Sequence, residues 1–336
     1  MKDLWFDTGR FEKWLGQHLA HGGKAPKVLG VRRIPGGFSA ETYHVAVAWP
    51  GSVDGMPEEL ILRRDPAGGP VERDIEREYG VMLALRDSPI PVPKVFKLEK
   101  DSTRLERPFF VEEFLPGNAD RHRLFSDAYA PMRPRLGERF IAILAAMHTL
   151  DARRWGLDFL GDPGGGTRPA AREVALWEDV EERNRLAPCP ILTEAFIWLK
   201  ANLPEAPRVS LVHGEFRAGN FLHDGDQIVA ILDWEYAHLG DPVEDLGWAF
   251  RKAFRLGPNE TGFFPRQEFL ARYEAKAGFT VQPEALRFWE VLGYVKAIAI
   301  LMTWQQAFRQ KKLNYANLPG TNMRHACAAV ARLLGL

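Results

Sequence analysis

Between Leu211 and Phe250 the chain gathers polar residues whose types and spacing suit one kind of chemistry. His213-Gly214-Glu215-Phe216-Arg217-Ala218-Gly219-Asn220 precedes two short apolar runs, Phe221-Leu222-His223 and Ile228-Val229-Ala230-Ile231-Leu232, and Asp233-Trp234-Glu235 follows them. An Asp224-Gly225 turn signal between the runs predicts a β-hairpin. A hairpin folds back on itself, so Asn220 and Asp233 are expected near each other at its open end, with the Glu215 carboxylate five residues before Asn220. Hard oxygen ligands of this kind suit Mg²⁺, which takes one or two protein ligands and completes its shell with phosphate and water. Phosphoryl transfer uses that arrangement, together with a carboxylate that accepts or orients the acceptor's hydroxyl proton. Each residue also has a plainer reading: Asn220 as a turn residue, His213 as a packing or backbone-bonding histidine, Asp241 and Asp245 as structural caps, and Glu235 as a solvent-facing partner.

The elements that must position this set read as follows. Phe11, Trp14, Leu15, His18 and Leu19 recur at helical spacing, and strand-like stretches follow at Val28–Ile34, Thr42–Trp49 and Glu59–Arg64. A helix is expected over about Val71–Arg86, closed by Pro89, Pro91 and Pro93, and two strands near Lys94–Leu98 and Phe109–Phe114. Beyond Pro116-Gly117 the texture turns helical, with helices over about Pro131–Thr149, Ala171–Leu186 and Thr193–Ala201 and a largely helical remainder from Pro242. Trp289, Tyr294, Trp304 and Phe308 repeat at helical spacing, which makes core packing their default role. The expected architecture is α+β: a small antiparallel-sheet lobe over residues 1–114 and a larger, mainly helical lobe over 115–336.

Protein kinases order an Asp, an Asn five residues later and a metal-binding Asp beyond a short hairpin. With HGEFRAGN, LDWE and GDPVEDLGW (Gly240–Trp248), the chain resembles the aminoglycoside phosphotransferase and choline kinase-like family, nearest its branch related to kinase-like domains fused to acyl-CoA dehydrogenases. Five further segments agree in order: Ile34–Tyr43 with the phosphate-covering turn, Leu60–Arg64 with the strand carrying a phosphate-facing base, Arg77-Glu78-Tyr79 with the helix carrying its carboxylate partner, Phe109–Gly117 with the nucleobase linker, and Leu144–His148 with the helix before the catalytic half. The resemblance implies a bilobal protein kinase-like fold and transfer of the ATP γ-phosphate (GTP is the lesser choice) to a hydroxyl of a small molecule. It implies Mg²⁺ ligands at Asn220 and Asp233, a catalytic base at Glu215, nucleotide contacts at Gly36, Gly37, Ser39, Arg63, Glu78 and Glu113, and support of the site by His213 and Asp245.

Two positions depart from the family's pattern. Glu215 stands where its catalytic Asp is usual, and Arg63 where Lys is usual. An extra methylene moves the carboxylate by roughly 1.5 Å, and misplacement of about 1 Å can cost about 100-fold in rate. Glu215 therefore reads either as a base with altered reach or as the mark of a nucleotide-binding regulatory module; a nucleotidyl transferase that turns the nucleotide round is a third reading. Arginine keeps the charge and offers a fork that pairs bidentately with phosphate or carboxylate.

Composition narrows the class. The 336 residues include 46% hydrophobic and 26% charged residues, as in a globular chain with a substantial core. With 44 basic and 44 acidic residues there is no net field to recruit nucleic acid or a membrane surface. Two cysteines far apart in sequence make no disulfide framework or CxxC metal site and fit the cytosol. The first residues carry charge too early for a signal peptide, and the apolar run Ala297–Met302 is too short to span a bilayer. A cytoplasmic, soluble protein is expected, with no indication of oligomeric state. Thirteen basic against five acidic residues leave 251–336 at about +8, with Arg309, Lys311 and Lys312 clustered. Such a charge suits an anionic or acyl-linked hydroxy compound, such as a hydroxy acid or hydroxyacyl-CoA, better than an aminoglycoside polycation.

Overall fold

The structure, a computed structural model, describes residues 7–20, 25–34, 40–50, 56–66, 74–251, 259–311 and 320–336. Helix α1 (Thr8–His18) begins where the Asp7 carboxylate accepts the Gly9 and Arg10 N–H groups, and it buries Phe11, Trp14 and Leu15 along one side. Strands β1 (Lys27–Arg33), β2 (Glu41–Ala48) and β3 (Glu59–Arg64) then form an antiparallel meander. Helix α2 (Ile75–Leu85) intervenes before β4 (Val95–Glu99), a short α3 (Ser102–Leu105) and β5 (Phe109–Glu113), which inserts between β3 and β4. The five-stranded sheet thus runs β1-β2-β3-β5-β4. Of the helix expected over 71–86, residues 71–73 lie outside the described residues; the helix begins after Asp74, whose side chain accepts the Arg77 N–H.

Side-chain alternation gives the sheet two different faces. Tyr43, Val45, Val47, Leu60, Leu62, Phe109 and Val111 pack with Phe11, Trp14 and Leu15 of α1 in one cluster. Each such side chain contributes about 1.5–3 kcal/mol on burial. Residues of the opposite parity, Arg63 of β3 and Phe110 of β5, turn toward α2; Phe110 joins the core of the helical part.

That part comprises a short α4 (Arg121–Leu124), α5 (Arg133–Thr149), α6 (Arg168–Asn184), α7 (Pro190–Ala201), α8 (Val243–Ala249), α9 (Arg266–Ala277), α10 (Pro283–Arg309) and α11 (Gly320–Leu334). Helices α6 and α7 start earlier than expected because Pro169 and Pro190 occupy their first turns, where a missing N–H costs nothing. Two small sheets sit among the helices. Strands β7 (Phe221–Asp224) and β8 (Gln227–Ile231) form the expected hairpin, but Asp224 still pairs with Gln227, so Gly225-Asp226 makes the turn. Strands β6 (Ser210–Val212) and β9 (His238–Gly240) were not foreseen, since three residues are too few to display an alternation. Cys189 and Cys327, distant in sequence, are free thiols near each other where α11 packs on α7. Among the described residues no helix is long and apolar enough to cross a membrane. The α+β architecture agrees with the sequence expectation.

Candidate functional site

The β7–β8 ladder fixes the centre of the site. Phe221 pairs with Ile231, and one residue further out Leu232 N–H donates to the Asn220 carbonyl at 2.9 Å, so the chain entering and the chain leaving the hairpin are tied together at its open end. The β6–β9 pair does the same one layer back, with Val212 opposite His238. The segment His213–Asn220 spans the gap between them.

Each of its residues is held individually. His213 is fully buried; its Nε2 lies 2.9 Å from the Leu232 carbonyl and its Nδ1 3.1 Å from the Glu215 N–H. Those two contacts define a neutral ring protonated at Nε2, and burial pulls its pKa below the ordinary value. The plainer reading, a backbone-bonding histidine, is the one the geometry supports. Asp245 of α8 accepts the Gly214 N–H on Oδ1 and the His213 N–H on Oδ2, both at 2.9 Å. Its Oδ2 also lies 3.1 Å from Nε2 of His148, whose Nδ1 meets the Tyr273 hydroxyl at 2.6 Å. Burial works against charge on Asp245, but the contacts with His148 and His213 outweigh it and hold the carboxyl below its usual range. Gly214 has φ +82°, and a Cβ there would lie 2.8 Å from Tyr236 Cβ and its carbonyl oxygen, so both backbone and space require glycine.

Asn220 and Asp233 complete the set. Asn220 is 2% exposed; its amide nitrogen donates to the Glu215 carbonyl at 3.0 Å and to Glu215 Oε2 at 3.3 Å. Among the described residues its Oδ1 is a buried acceptor with no protein partner. Asp233 follows β8 in the left-handed region, φ 64°, a conformation Asp tolerates better than most residues. Its Oδ1 accepts from Arg63 Nη2 at 3.2 Å, and the same nitrogen lies 2.7 Å from Glu78 Oε1 of α2. Arg63 and Arg217 outweigh the burial cost and keep the Asp233 carboxyl low. An orphaned buried oxygen and an ionised carboxylate at one hairpin mouth match the oxygen-donor set Mg²⁺ takes, so these residues fit the metal. Arg63, Glu78, His213, Glu215, Asn220, Asp233 and Asp245 therefore form one connected group.

Residues 30–289 match the family described as phosphotransferase enzyme family. The chain belongs to that family. Among curated proteins, acyl-CoA dehydrogenase family member 10 of Mus musculus is 30% identical over 217 residues, covering 63% of this chain and 19% of that protein. Family member 11 of Gallus gallus is 30% identical over 256 residues, covering 73% of this chain and 31% of that protein. The chain thus spans less than a third of the length of these relatives. A provisionally assigned aminoglycoside phosphotransferase from Ralstonia eutropha superposes with a TM-score of 0.75 at 24% identity, covering 98% of both chains. An aminoglycoside phosphotransferase solved with GDP and kanamycin superposes at 0.60 and 12% identity, covering 97% of this chain and 98% of the other. These likenesses show a kinase-like fold.

Gly36, Gly37 and Ser39 lie outside the described residues. Glu113 ends β5, where its Oε1 accepts the Lys94 N–H at 2.7 Å. The basic tail is also less available than its count suggests. Arg266 is paired with Glu260 and Glu290, Arg272 with Glu138 and Glu268, and Arg287 donates to the Leu333 carbonyl. Arg309 and Lys311 are exposed, and Lys312 lies outside the described residues.

Sequence reasoning missed a second layer. Arg251, 1% exposed, donates to the Gly293 carbonyl at 3.0 Å and lies over the Trp248 ring. Glu173, His238 and Glu244 bring three ligand-type atoms within 4.8 Å of one another. His238 lies 3.1 Å from Glu244 and 3.6 Å from Glu173, and the Lys296 ammonium 3.4 Å from Glu244, so the carboxylates already have cationic partners. The only sequence signal was a lysine interrupting an apolar helical run, Tyr294-Val295-Lys296-Ala297-Ile298.

Proposed function

We propose that this chain is a Mg²⁺-dependent kinase that transfers the ATP γ-phosphate to a hydroxyl of a small metabolite. The observation that carries the reading is the partnerless Asn220 Oδ1, buried beside Glu215 and at the same hairpin mouth as Asp233. Asn220 and Asp233 would hold the metal, which when bound neutralises phosphate charge. Arg63, anchored by Glu78, presents its guanidinium to the same region for the phosphates. Glu215 accepts the acceptor's hydroxyl proton, a role open to it because, among the described residues, its carboxylate is hydrogen-bonded only to the Asn220 amide.

The acceptor we infer is anionic: a hydroxy acid or a hydroxyacyl-CoA. Arg251 lies close enough to Glu215 for their charges to interact, and Arg217 follows Glu215 by two residues. Unit charges about 4 Å apart interact by roughly 4 kcal/mol at an effective dielectric near 20, so cations here favour an anion and disfavour a polycation. Kinship with acyl-CoA dehydrogenase family members supports the same choice.

The test is ADP release from Mg-ATP with hydroxyacyl-CoA esters, free hydroxy acids and kanamycin in parallel. The CoA ester or acid is expected to drive turnover and kanamycin not to. Glu215→Gln should lower kcat by about 100-fold or more with little change in nucleotide affinity. Pyrophosphate in place of ADP would favour a nucleotidyl transferase, and neither product a regulatory module; full turnover by Glu215→Gln would remove Glu215 as the base.

A further inference from the structure

Lys296 sits near the middle of α10, a helix of 27 residues, and is only 3% exposed. Its Nζ donates to the Gly214 carbonyl at 2.8 Å and lies 3.4 Å from Glu244 Oε1. Three ring faces surround it: Tyr236 at 4.9 Å, Trp248 at 5.0 Å and Trp177 at 5.1 Å. Taking an ammonium out of water costs several kcal/mol unless partners replace its hydration. Here one carboxylate, one carbonyl and three quadrupolar rings replace it.

A purely structural ion pair would need Glu244 alone. The carbonyl that completes the shell is instead that of the residue immediately before Glu215. Gly214 is held from both ends, its N–H by Asp245 of α8 and its C=O by Lys296 of α10. A Cβ on Gly214 would lie 3.2 Å from Nζ, so ammonium and loop are in close contact. The peptide unit that launches the Glu215 side chain is thereby fixed in space. This matters for a Glu side chain in particular, because its third torsion adds freedom that a loose backbone would compound.

We propose that Lys296 is a positioning residue for phosphoryl transfer: by holding the Gly214 carbonyl it sets where the Glu215 carboxylate meets the acceptor hydroxyl. This rests on the kinase reading above.

The experiment compares Lys296→Met with Glu244→Gln, which disturbs the same buried charge network but leaves the Nζ–carbonyl contact in place. Lys296→Met is expected to lower kcat about 100-fold with the KM for ATP within about twofold, whereas Glu244→Gln lowers Tm but keeps kcat within about threefold. Equal losses in the two variants, or wild-type kcat in Lys296→Met, would overturn the proposal. Should Lys296→Met not fold, Lys296→Arg retains the charge while its planar fork cannot put a single N–H where Nζ stands. A kcat lowered about tenfold at unchanged Tm then supports the assignment, and wild-type kcat overturns it. If the wild-type protein releases no ADP with any acceptor, the kinase reading is what fails. Amide exchange across 213–216 then decides the Lys296 contact: faster exchange in Lys296→Met than in Glu244→Gln supports it, and equal exchange overturns it.

Discussion

At the scale of single residues, two carboxylates near the hairpin mouth do opposite jobs. Asp245 spends its oxygens on the protein, accepting N–H groups from His213 and Gly214 and meeting His148. Asp245→Asn would turn an NH₂ against one of those backbone donors in either orientation. A loss of about 1–3 kcal/mol is expected in denaturant unfolding, the cost of a buried donor left unmatched. Asp233 keeps 37% of its side chain exposed and meets Arg63. Because it occupies the left-handed region, Asp233→Asn is the substitution that preserves the backbone while removing the charge. Mg-ATP at about 100 times its Kd should stabilise the wild type by about 2.7 kcal/mol, and Asp233→Asn should remove that gain while leaving the unliganded melting temperature little changed.

At the scale of elements, the site depends on how closely α8 approaches α10. A Cβ on Gly247 would lie 2.5 Å from the Trp289 carbonyl carbon and 2.7 Å from its Cβ, backbone-anchored atoms that cannot swing aside. Gly247→Ala must therefore spread the two helices that carry Asp245 and Lys296. It should cost about 1–3 kcal/mol in thermal or denaturant unfolding, with activity falling further than the folded fraction does. The sheet, the hairpin and the meeting of Asn220 and Asp233 at its mouth were readable because each is written in short-range patterns of alternation and turn residues, while the Arg63–Glu78 contact was expected only from the family resemblance. Lys296 was not, because its partner Gly214 lies 82 residues away and a lysine in an apolar helix reads only as an interruption. The charge of the last 86 residues is legible as a count, but a count cannot reveal that Arg266 and Arg272 face carboxylates.

At the scale of the whole molecule, stability should carry the signature of His238. Burial opposes its charge, but Glu173 and Glu244 outweigh that and push it up to about 9 from 6.5. A group whose pKa is higher folded than unfolded binds its proton preferentially in the folded state. Its contribution, on the order of 3 kcal/mol, is complete below about pH 6.5 and is lost as pH climbs through about 9. Burial pushes Asp241 up to about 7 from 3.8, so its corresponding loss comes at lower pH. Melting curves should fall between pH 6.5 and 9, and His238→Gln should flatten that interval alone. The hairpin has a practical consequence at this scale too. Its closed end, Gly225-Asp226, lies opposite the end that bears Asn220 and Asp233, and the cost of a longer loop grows slowly with length. A reporter peptide or chromophore spliced into that turn would leave the pairing of Phe221 with Ile231 in register, attaching a label to the hairpin without disturbing its open end.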